Sequence, residues 1–494
     1  MIGYPFVSWG HVRWGTQITK LSEYATLDGL GIAELVRKKE ISAAEAAGTA
    51  MEAIQVVNPQ LNAVIEDYPD RVNQEPADGP FKGVPFLIKD LVIHEAGQTN
   101  ELGSRLAKGM VAPNDTELMV RFRNAGLVTL GRTTTPEFGF CATVEALIYG
   151  NTHNPWNLDH SPGGSSGGSA AMVAARAVPI AHANDGGGSI RIPAACCGLV
   201  GLKPTRGRNS LGPDVSEAIG GFAIEHVVTR TVRDSAAVLD ATNGPLAGDP
   251  YIIAPPARPY LGEVTTKPKA LNIAFTTETW SGDPVDPECV AAVHDTAKLL
   301  ESLGHNVTEA SPKIDYEPFM EATAKIWAAG ETAWILAVAA ATGRTPGPDT
   351  LETSILATYE VGMKMTAIEY QGALNVLNTT CRAVGPFFEQ YDMLLTPTCA
   401  KPAWKLGEMD ANKPGWDLMS WSRFVFGICA FTPLFNATGH PGVSLPLAMS
   451  SGGLPIGLQF VGQWGREDML YQLSGQLEQA SPWIDRRPGV CVGS

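Results

Sequence analysis

Short apolar runs alternate with helical segments along this chain of 494 residues, and that alternation limits the possible folds more than any other feature. The runs at residues 83–88, 127–130 and 179–183 have the length and apolar character of buried strands. A strand, a helix and a second strand usually form a crossover unit, so the pattern predicts an α/β sheet flanked by helices.

Local signals mark where individual helices begin and end. Ser42 and Glu45 have the spacing of a capping box, which predicts a helix that starts after Ser42. Asn58 and Pro59 predict its end, because proline disfavours a continuing helix. No repeat and no low-complexity linker divides the chain, so one large α/β domain with a helical insertion is expected.

Composition excludes several classes of protein. Hydrophobic residues make up 44% and charged residues 18%, which is typical of a globular chain and not of a disordered one. The net charge of -15 should repel phosphate backbones, so nucleic acid is not an expected partner. The longest apolar stretch, at 334–341, is too short to cross a bilayer. We therefore expect no membrane association and, because the N-terminus lacks the pattern of a secretory signal, a cytoplasmic location.

The eight cysteines are scattered and form no C-x-x-C pair. They are expected to be small buried side chains in a reducing compartment. The nine histidines form no H-E-x-x-H motif and no zinc-finger spacing, so no metal site is predicted.

Three short segments place a reactive side chain where glycine or a strand end leaves room for a substrate. Lys89 follows the apolar run 83–88, Ser165 lies in the glycine-serine run 161–169, and Ser189 follows three glycines. The glycine-serine run alone is also compatible with a flexible loop. Its place ahead of a helix, inside an apolar stretch of chain, favours a turn that aims backbone N–H groups outward.

The glycines Gly186, Gly187 and Gly188 carry the sharper signal. Successive residues without Cβ atoms can form a nest whose N–H groups converge on one anion, as in an oxyanion hole. A strained structural turn would explain the same glycines. Asp185 and Arg191 could pair and brace this loop, or they could form an ordinary surface salt bridge.

A nucleophilic serine needs a base, and the sequence allows two. The segment 163–167 matches G-x-S-x-G, which would imply a Ser-His-Asp hydrolase, but no hydrophobic strand leads into it. The other candidate is Lys89, which can act as a base only if burial lowers its pKa from the ordinary value of about 10.4. A solvated strand end with the local pair Lys89 and Asp90 is the simpler reading of that segment.

Taken together, the three segments resemble those of the amidase signature family. Further motifs support the resemblance and lie at 134–137, 154–157, 185–205, 441–446 and 454–459. The resemblance extends from about residue 27 to residue 488. It implies one α/β/α domain over residues 21–494, built on a mixed sheet of about eleven strands, after an N-terminal extension at 1–20. It also implies hydrolysis of C–N bonds in small-molecule amides, without a cofactor.

Site roles follow from the same resemblance. Ser189 would be the nucleophile, Ser165 the bridging serine on a cis peptide, and Lys89 the base of a Ser–cis-Ser–Lys triad. The N–H groups of Gly186, Gly187, Gly188 and Ser189 would form the oxyanion hole. Supporting roles are expected for Ser166, Asp185 and Arg191.

Within the family, the chain is most similar to hydrolases of nylon oligomers, aryl amides and urethanes. Phe140 stands where the nylon-oligomer hydrolases carry an asparagine, which implies a more apolar pocket formed with Cys141. Aromatic or long-chain acyl amides, or carbamates, would suit such a pocket. The helical region at 317–390 is expected to shape it, with Trp327 either a lining residue or a core residue.

Three alternatives remain at this point. The chain could be an amidotransferase A subunit, which needs partner chains, a binding module with a decayed active site, or the Ser-His-Asp hydrolase. For the amidase, the expected partner is a small-molecule amide or carbamate, and the expected state is a monomer or a homodimer.

Overall fold

A computed structural model describes residues 21–493, so the predicted N-terminal extension at 1–20 lies outside the described residues. Its centre is a sheet of eleven strands, and a separate hairpin is formed by two further strands. The thirteen strands are β1 Val64–Asp67, β2 Val84–Lys89, β3 Leu127–Thr133, β4 Glu145–Ala146, β5 Gly150–Asn151, β6 Ile180–Asp185, β7 Val200–Lys203, β8 Ile224–Thr229, β9 Asn272–Phe275, β10 Asn306–Glu309, β11 Met393–Pro397, β12 Gly442–Met449 and β13 Pro455–Gly462.

Helices connect and cover these strands. The described α-helices are α1 Leu21–Tyr24, α2 Gly29–Arg37, α3 Ala43–Leu61, α4 Glu117–Asn124, α5 Gly167–Ala174, α6 Arg191–Cys197, α7 Val232–Thr242, α8 Tyr260–Val264, α9 Pro287–Ser302, α10 Tyr316–Thr342, α11 Thr353–Gly362, α12 Ala367–Val384, α13 Phe387–Gln390, α14 Leu418–Ile428, α15 Pro433–Ala437 and α16 Glu467–Ala480. Helices α10 to α13 occupy the region 317–390 that the sequence marks as helical.

The large sheet has the order β1-β3-β2-β6-β8-β7-β12-β13-β11-β9-β10. Strands β3, β2 and β6 run parallel to one another, as do β11, β9 and β10, whereas the strands between these two groups pair antiparallel. The predicted mixed sheet of about eleven strands flanked by helices is therefore confirmed.

Separate apolar clusters hold helices against the sheet. One packs α2 to α5 against β2, β3 and β6. A second packs α7, α9 and α16 against the strands from β7 to β9 in sheet order. A third joins α10, α11 and α14 to the loop at 138–142 and lies beside the carboxyl ends of β2 and β6. Burial of such apolar surface is the dominant favourable contribution to folding.

The capping box predicted at the start of α3 is confirmed, because Ser42 and Glu45 satisfy each other's backbone N–H groups. The predicted stop at Asn58 and Pro59 is wrong. The helix continues to Leu61 with Pro59 inside its last turn, and Asn58 instead uses its side chain to bind the backbone of residues 63 and 64. No helix within residues 21–493 is long and apolar enough to span a bilayer.

Two helix-interior glycines allow a test of this packing. In α16, a Cβ on Gly475 would overlap the carbonyl group of Val264 at the end of α8, whereas a Cβ on Gly372 in α12 would meet nothing within 4 Å. We expect Gly475→Ala to lower the free energy of unfolding by about 1–3 kcal/mol, because the two helices must separate. Gly372→Ala should raise it by up to about 1 kcal/mol, because alanine is the better helix former. Chemical denaturation of the two variants measures the difference, and equal effects would contradict the close contact of Gly475 with Val264.

Candidate active site

The fold brings the three reactive segments of the sequence to one edge of the sheet. Strands β2 and β6 are parallel neighbours, so their carboxyl ends lie side by side. Lys89 is the last residue of β2, Ser189 lies between β6 and α6, and Ser165 lies in the loop that enters α5. Ser165 and Ser189 line the same cavity.

The Lys89 side chain is fully buried, and its amine makes two short contacts. The Nζ atom donates to Ser165 Oγ at 2.6 Å and to Asn184 Oδ1 at 2.5 Å. Burial away from water holds the pKa of Lys89 well below its usual range, although the nearby carboxyl groups of Glu225, Asp185 and Asp90 oppose that shift. The reading of Lys89 as a solvated strand end is therefore wrong, because no part of the residue is exposed.

Ser165 lies between the lysine and the cavity. Its peptide bond to Gly164 is cis, and its side chain is almost completely buried. The neighbouring Ser166 donates through its hydroxyl to the carbonyl of Asn184 at 3.3 Å. Ser166 thus joins the start of α5 to the end of β6, which supports the position of the loop.

The glycine loop before Ser189 is held from inside by Asp185. Its carboxylate accepts from the N–H of Gly188 at 2.6 Å and from the N–H of Ile190 at 3.2 Å. Gly188 also has a φ of 133°, which only glycine adopts readily, and a Cβ there would lie 2.5 Å from Ile192 Cδ1.

This bonding corrects the expected set of oxyanion donors. The N–H of Gly188 is already bound to Asp185, so Gly188 braces the loop. Within residues 21–493, the N–H groups of Gly186, Gly187 and Ser189 have no acceptor, and the cavity lies beside Gly186 and Ser189. Those three donors are the ones left for a ligand.

Asp185 and Arg191 form a buried ion pair, so the alternative expectation of an ordinary surface salt bridge is wrong. Two nitrogens of Arg191 contact the two carboxylate oxygens, each at 2.9 Å, and neither residue is exposed. Arg191 also lowers the pKa of Asp185 to about 2, against the opposing effect of burial. Asn436 and Gln459 complete the hydrogen bonding of the pair. Because every polar group in this network is satisfied, the loop is rigid.

An apolar cavity of about 680 Å³ opens beside the two serines. Its walls are mostly hydrophobic, and the larger side chains that line it are Leu91, Met110, Phe138, Ile219, Trp327 and Trp334. A cavity of this size and character suits a small organic molecule.

The expected pocket residues are only partly in place. Trp327 lines the cavity and packs against Gly186, which agrees with its expected role as a lining residue. Phe140 lies behind the wall, with its ring stacked on Trp327 at 4.6 Å between centroids, and Cys141 does not line the cavity. The loop turns at Phe138, which has a φ of 50°. The side chain of Phe138, and not that of Phe140, therefore lines the cavity.

Sequence reasoning missed Asn184, which holds the lysine amine. Its amide donates to the carbonyl of Leu91 at 2.8 Å, which leaves the Oδ1 atom facing Lys89. Strand alternation could have found it, since Asn184 is a polar residue on the face of β6 opposite to Asp185, in a strand that is buried throughout.

A histidine base has no support in the described part of the chain. No histidine within residues 21–493 is hydrogen bonded to Ser165 or Ser189. His94 lines the outer cavity, where its Nε2 atom lies 3.2 Å from Asp214. Over the same residues, no cluster of three or more His, Cys, Asp and Glu side chains could hold a metal ion.

Comparison with known proteins agrees with the geometry. The amidase family model matches residues 36–471. The 6-aminohexanoate-cyclic-dimer hydrolase of Paenarthrobacter ureafaciens is 40% identical over 474 residues, which cover 93% of this chain and 96% of the relative.

Solved structures give the same result. A structure of 6-aminohexanoate cyclic dimer hydrolase superposes with a TM-score of 0.90 at 39% identity, covering 94% of this chain and 99% of its own. A bacterial aryl acylamidase described as an amidase signature enzyme has a TM-score of 0.84 at 28% identity, over 92% of this chain and 96% of its own. The match of sequence and fold shows that the chain belongs to the amidase signature family.

Proposed function

We propose that this amide hydrolase acts through Ser189 as nucleophile, Ser165 as proton relay and Lys89 as base. The observation that carries the proposal is the 2.6 Å contact between the buried, readily deprotonated amine of Lys89 and the hydroxyl of Ser165, in the cavity that Ser189 also lines. A neutral amine in hydrogen bond contact with a hydroxyl is a competent general base.

In the first half of the reaction, Lys89 takes the proton of Ser165 while Ser165 takes the proton of Ser189. The Ser189 Oγ atom attacks the carbonyl carbon, and the negative charge moves to the carbonyl oxygen. The free N–H groups of Gly186, Gly187 and Ser189 stabilise that oxyanion. The proton then returns through Ser165 to the leaving nitrogen, the C–N bond breaks, and an amine departs from the acyl-enzyme.

Water completes the second half by the same relay. Ser165 and Lys89 remove a proton from the water as it attacks the acyl carbon. The proton then passes back to Ser189 Oγ as the C–O bond to the enzyme breaks, and the acid is released. Every step is a proton transfer or an acyl transfer, so the residues present suffice without a cofactor.

The cavity wall supports a substrate class. Aromatic and aliphatic side chains form most of it, including Trp327, Trp334 and Phe138, and no lysine or arginine among residues 21–493 lines it. We propose that the substrates are aryl or long-chain acyl amides and carbamates, with nylon-type oligomers as a further candidate because two relatives at 39–40% identity are named 6-aminohexanoate-cyclic-dimer hydrolases. Anionic acids should bind poorly in such a pocket.

The alternatives have less support. An amidotransferase A subunit would act on glutamine and need partner chains, whereas relatives at 39–40% identity are named as hydrolases. A decayed site is disfavoured because Lys89, Ser165 and Ser189 are all present. We propose a cytoplasmic enzyme that acts as a monomer or a homodimer on a small molecule, without a nucleic acid partner.

The roles of the three residues lead to a first test of activity. Ser189→Ala and Lys89→Met should each lower kcat/KM for an anilide substrate by at least about 10³-fold, because members of a catalytic unit fail together. Ser165→Ala should fall into the same range, since the relay is interrupted. Steady-state kinetics on the purified single chain measures this.

Matched controls are available on the surface. Ser302→Ala and Lys298→Met remove the same chemical groups from exposed positions of α9 and should keep the activity of the wild type. Retained activity in Ser189→Ala, with these controls unchanged, would contradict the assignment.

The buried amine also predicts a pH dependence. Catalysis needs the neutral form of Lys89, and burial holds its pKa well below 10.5, so activity should rise with pH along an acid limb and be lost as the amine gains a proton. Asp185 has a pKa of about 2 and stays ionised throughout, so the loop cannot cause that limb. The measurement is kcat/KM between pH 5 and 10, and a flat profile would contradict the role of Lys89.

A substrate panel tests the proposed pocket. Anilides, aryl carbamates, lactam oligomers and primary amides should be compared in wild type and in Trp327→Ala. We expect apolar aryl substrates to have the highest kcat/KM in wild type. Trp327→Ala should raise the KM for these substrates by roughly 10-fold or more, since burying an aromatic ring contributes about 1.5–3 kcal/mol. A preference for small primary amides would contradict the proposed class.

A further inference from the structure

Three buried carboxyl groups, those of Asp90, Asp185 and Glu225, act electrostatically on the amine of Lys89, and two of them are paired with arginines. Asp90 lies 2.6 Å from a guanidinium nitrogen of Arg132, and Asp185 is bound by Arg191. Glu225 is the third, with only 1% of its surface exposed. Within residues 21–493 it has no lysine or arginine in salt-bridge contact.

Strand register places Glu225 beside the residue that holds the lysine. Strands β6 and β8 are antiparallel, and Asn184 is directly opposite Glu225. Side chains of directly opposed residues lie on the same face of the sheet, with Cβ atoms about 4.5–5.5 Å apart. The Oδ1 atom of Asn184 contacts the Lys89 amine at 2.5 Å, so Glu225 belongs to the immediate surroundings of that amine.

The neighbour of Glu225 does not cancel its charge. His182 Nε2 lies 3.2 Å from Glu225 Oε1, and His182 is two residues from Asn184 on the same face of β6. His182 is fully buried, and burial lowers its pKa, so the ring is neutral at physiological pH. His226, on the same strand as Glu225, is also neutral because burial lowers its pKa to about 3.

Such a charge has a use in the proposed reaction. In each half-reaction Lys89 takes a proton and becomes an ammonium ion at a fully buried position, where a charged group is costly. Glu225 is one of the three carboxyl groups, with Asp185 and Asp90, whose charge favours the ammonium form. The other two carboxyl groups are each paired with an arginine, Asp185 with Arg191 and Asp90 with Arg132.

We propose that Glu225, held beside Asn184 and His182, is the counter-charge that stabilises the ammonium form of Lys89 during catalysis. This inference rests on the proposed function. Glu225 does not line the cavity, so it is a positioning residue that acts through the lysine. The charge of Glu225 raises the pKa of Lys89 and so makes the amine a stronger base. Burial lowers the same pKa, so the amine is not permanently protonated.

The test is the pH profile of Glu225→Gln, which keeps the shape and removes the charge. The acid limb of kcat/KM should move to lower pH by roughly one unit, a tenfold change in the fraction of neutral lysine at a given pH. The plateau should fall by roughly 10-fold or more, because the lysine is a weaker base. Glu225→Asp keeps the charge and should restore the limb to within a few tenths of a unit.

A merely structural role predicts a different result. It would lower the plateau in both variants and leave the limb where it is in the wild type, and that outcome would overturn the proposal. Glu225→Met is also uncharged and of similar length, and it should shift the limb as Glu225→Gln does. Circular dichroism shows which of the two variants is folded, and the pH profile of that variant decides between the two roles.

Low turnover does not prevent the measurement. The rate at which an aryl fluorophosphonate inactivates Ser189 reports the same activation in a single event, and its pH dependence should move in the same way. The two proposals fail separately. Active Lys89→Met and Ser189→Ala variants would overturn the proposed function, whereas an unmoved limb in Glu225→Gln, with those variants inactive, would overturn only the role of Glu225.

Discussion

The contact between the buried amine of Lys89 and the hydroxyl of Ser165 is the interaction on which the rest of the site depends. Burial away from water lowers the pKa of this amine, and the parallel strands β2 and β6 provide the buried position at their carboxyl ends. The surrounding polar groups are correspondingly well matched, since Asn184 accepts from the amine and Arg132 and Arg191 neutralise two of the nearby carboxylates.

The site separates two tasks that a simpler active site would combine. One group of side chains, centred on Asp185 and Arg191, makes the loop before Ser189 rigid and leaves its free N–H groups available. The other group, centred on Lys89, moves protons. Rigid donors aimed at a developing charge need no reorganisation during the reaction, which is the main source of electrostatic catalysis. Because the two tasks belong to different side chains, the fully hydrogen-bonded pair of Asp185 and Arg191 and the lysine of lowered pKa can lie at the ends of neighbouring strands.

Much of the fold and of the site was predictable from local signals. Strand-like apolar runs preceded both Lys89 and Asp185, and the glycines at 186–188 marked unusual backbone before the nucleophile candidate. The errors have physical causes. Pro59 was accommodated in the last turn of α3, Gly188 used its N–H to bind Asp185, and the loop after Glu137 turned so that Phe138 and not Phe140 reached the cavity.

By itself, the sequence determined the α/β class, the three reactive segments and their family, because these depend on periodicity and on motifs that are local in the chain. The tertiary structure alone decided which polar groups neutralise one another. Lys89, Asn184 and Glu225 are far apart in sequence, and only the order β2-β6-β8 and the register of β6 with β8 make them neighbours. Burial and charge pairing, which set the basicity of an amine, are properties of that assembled neighbourhood.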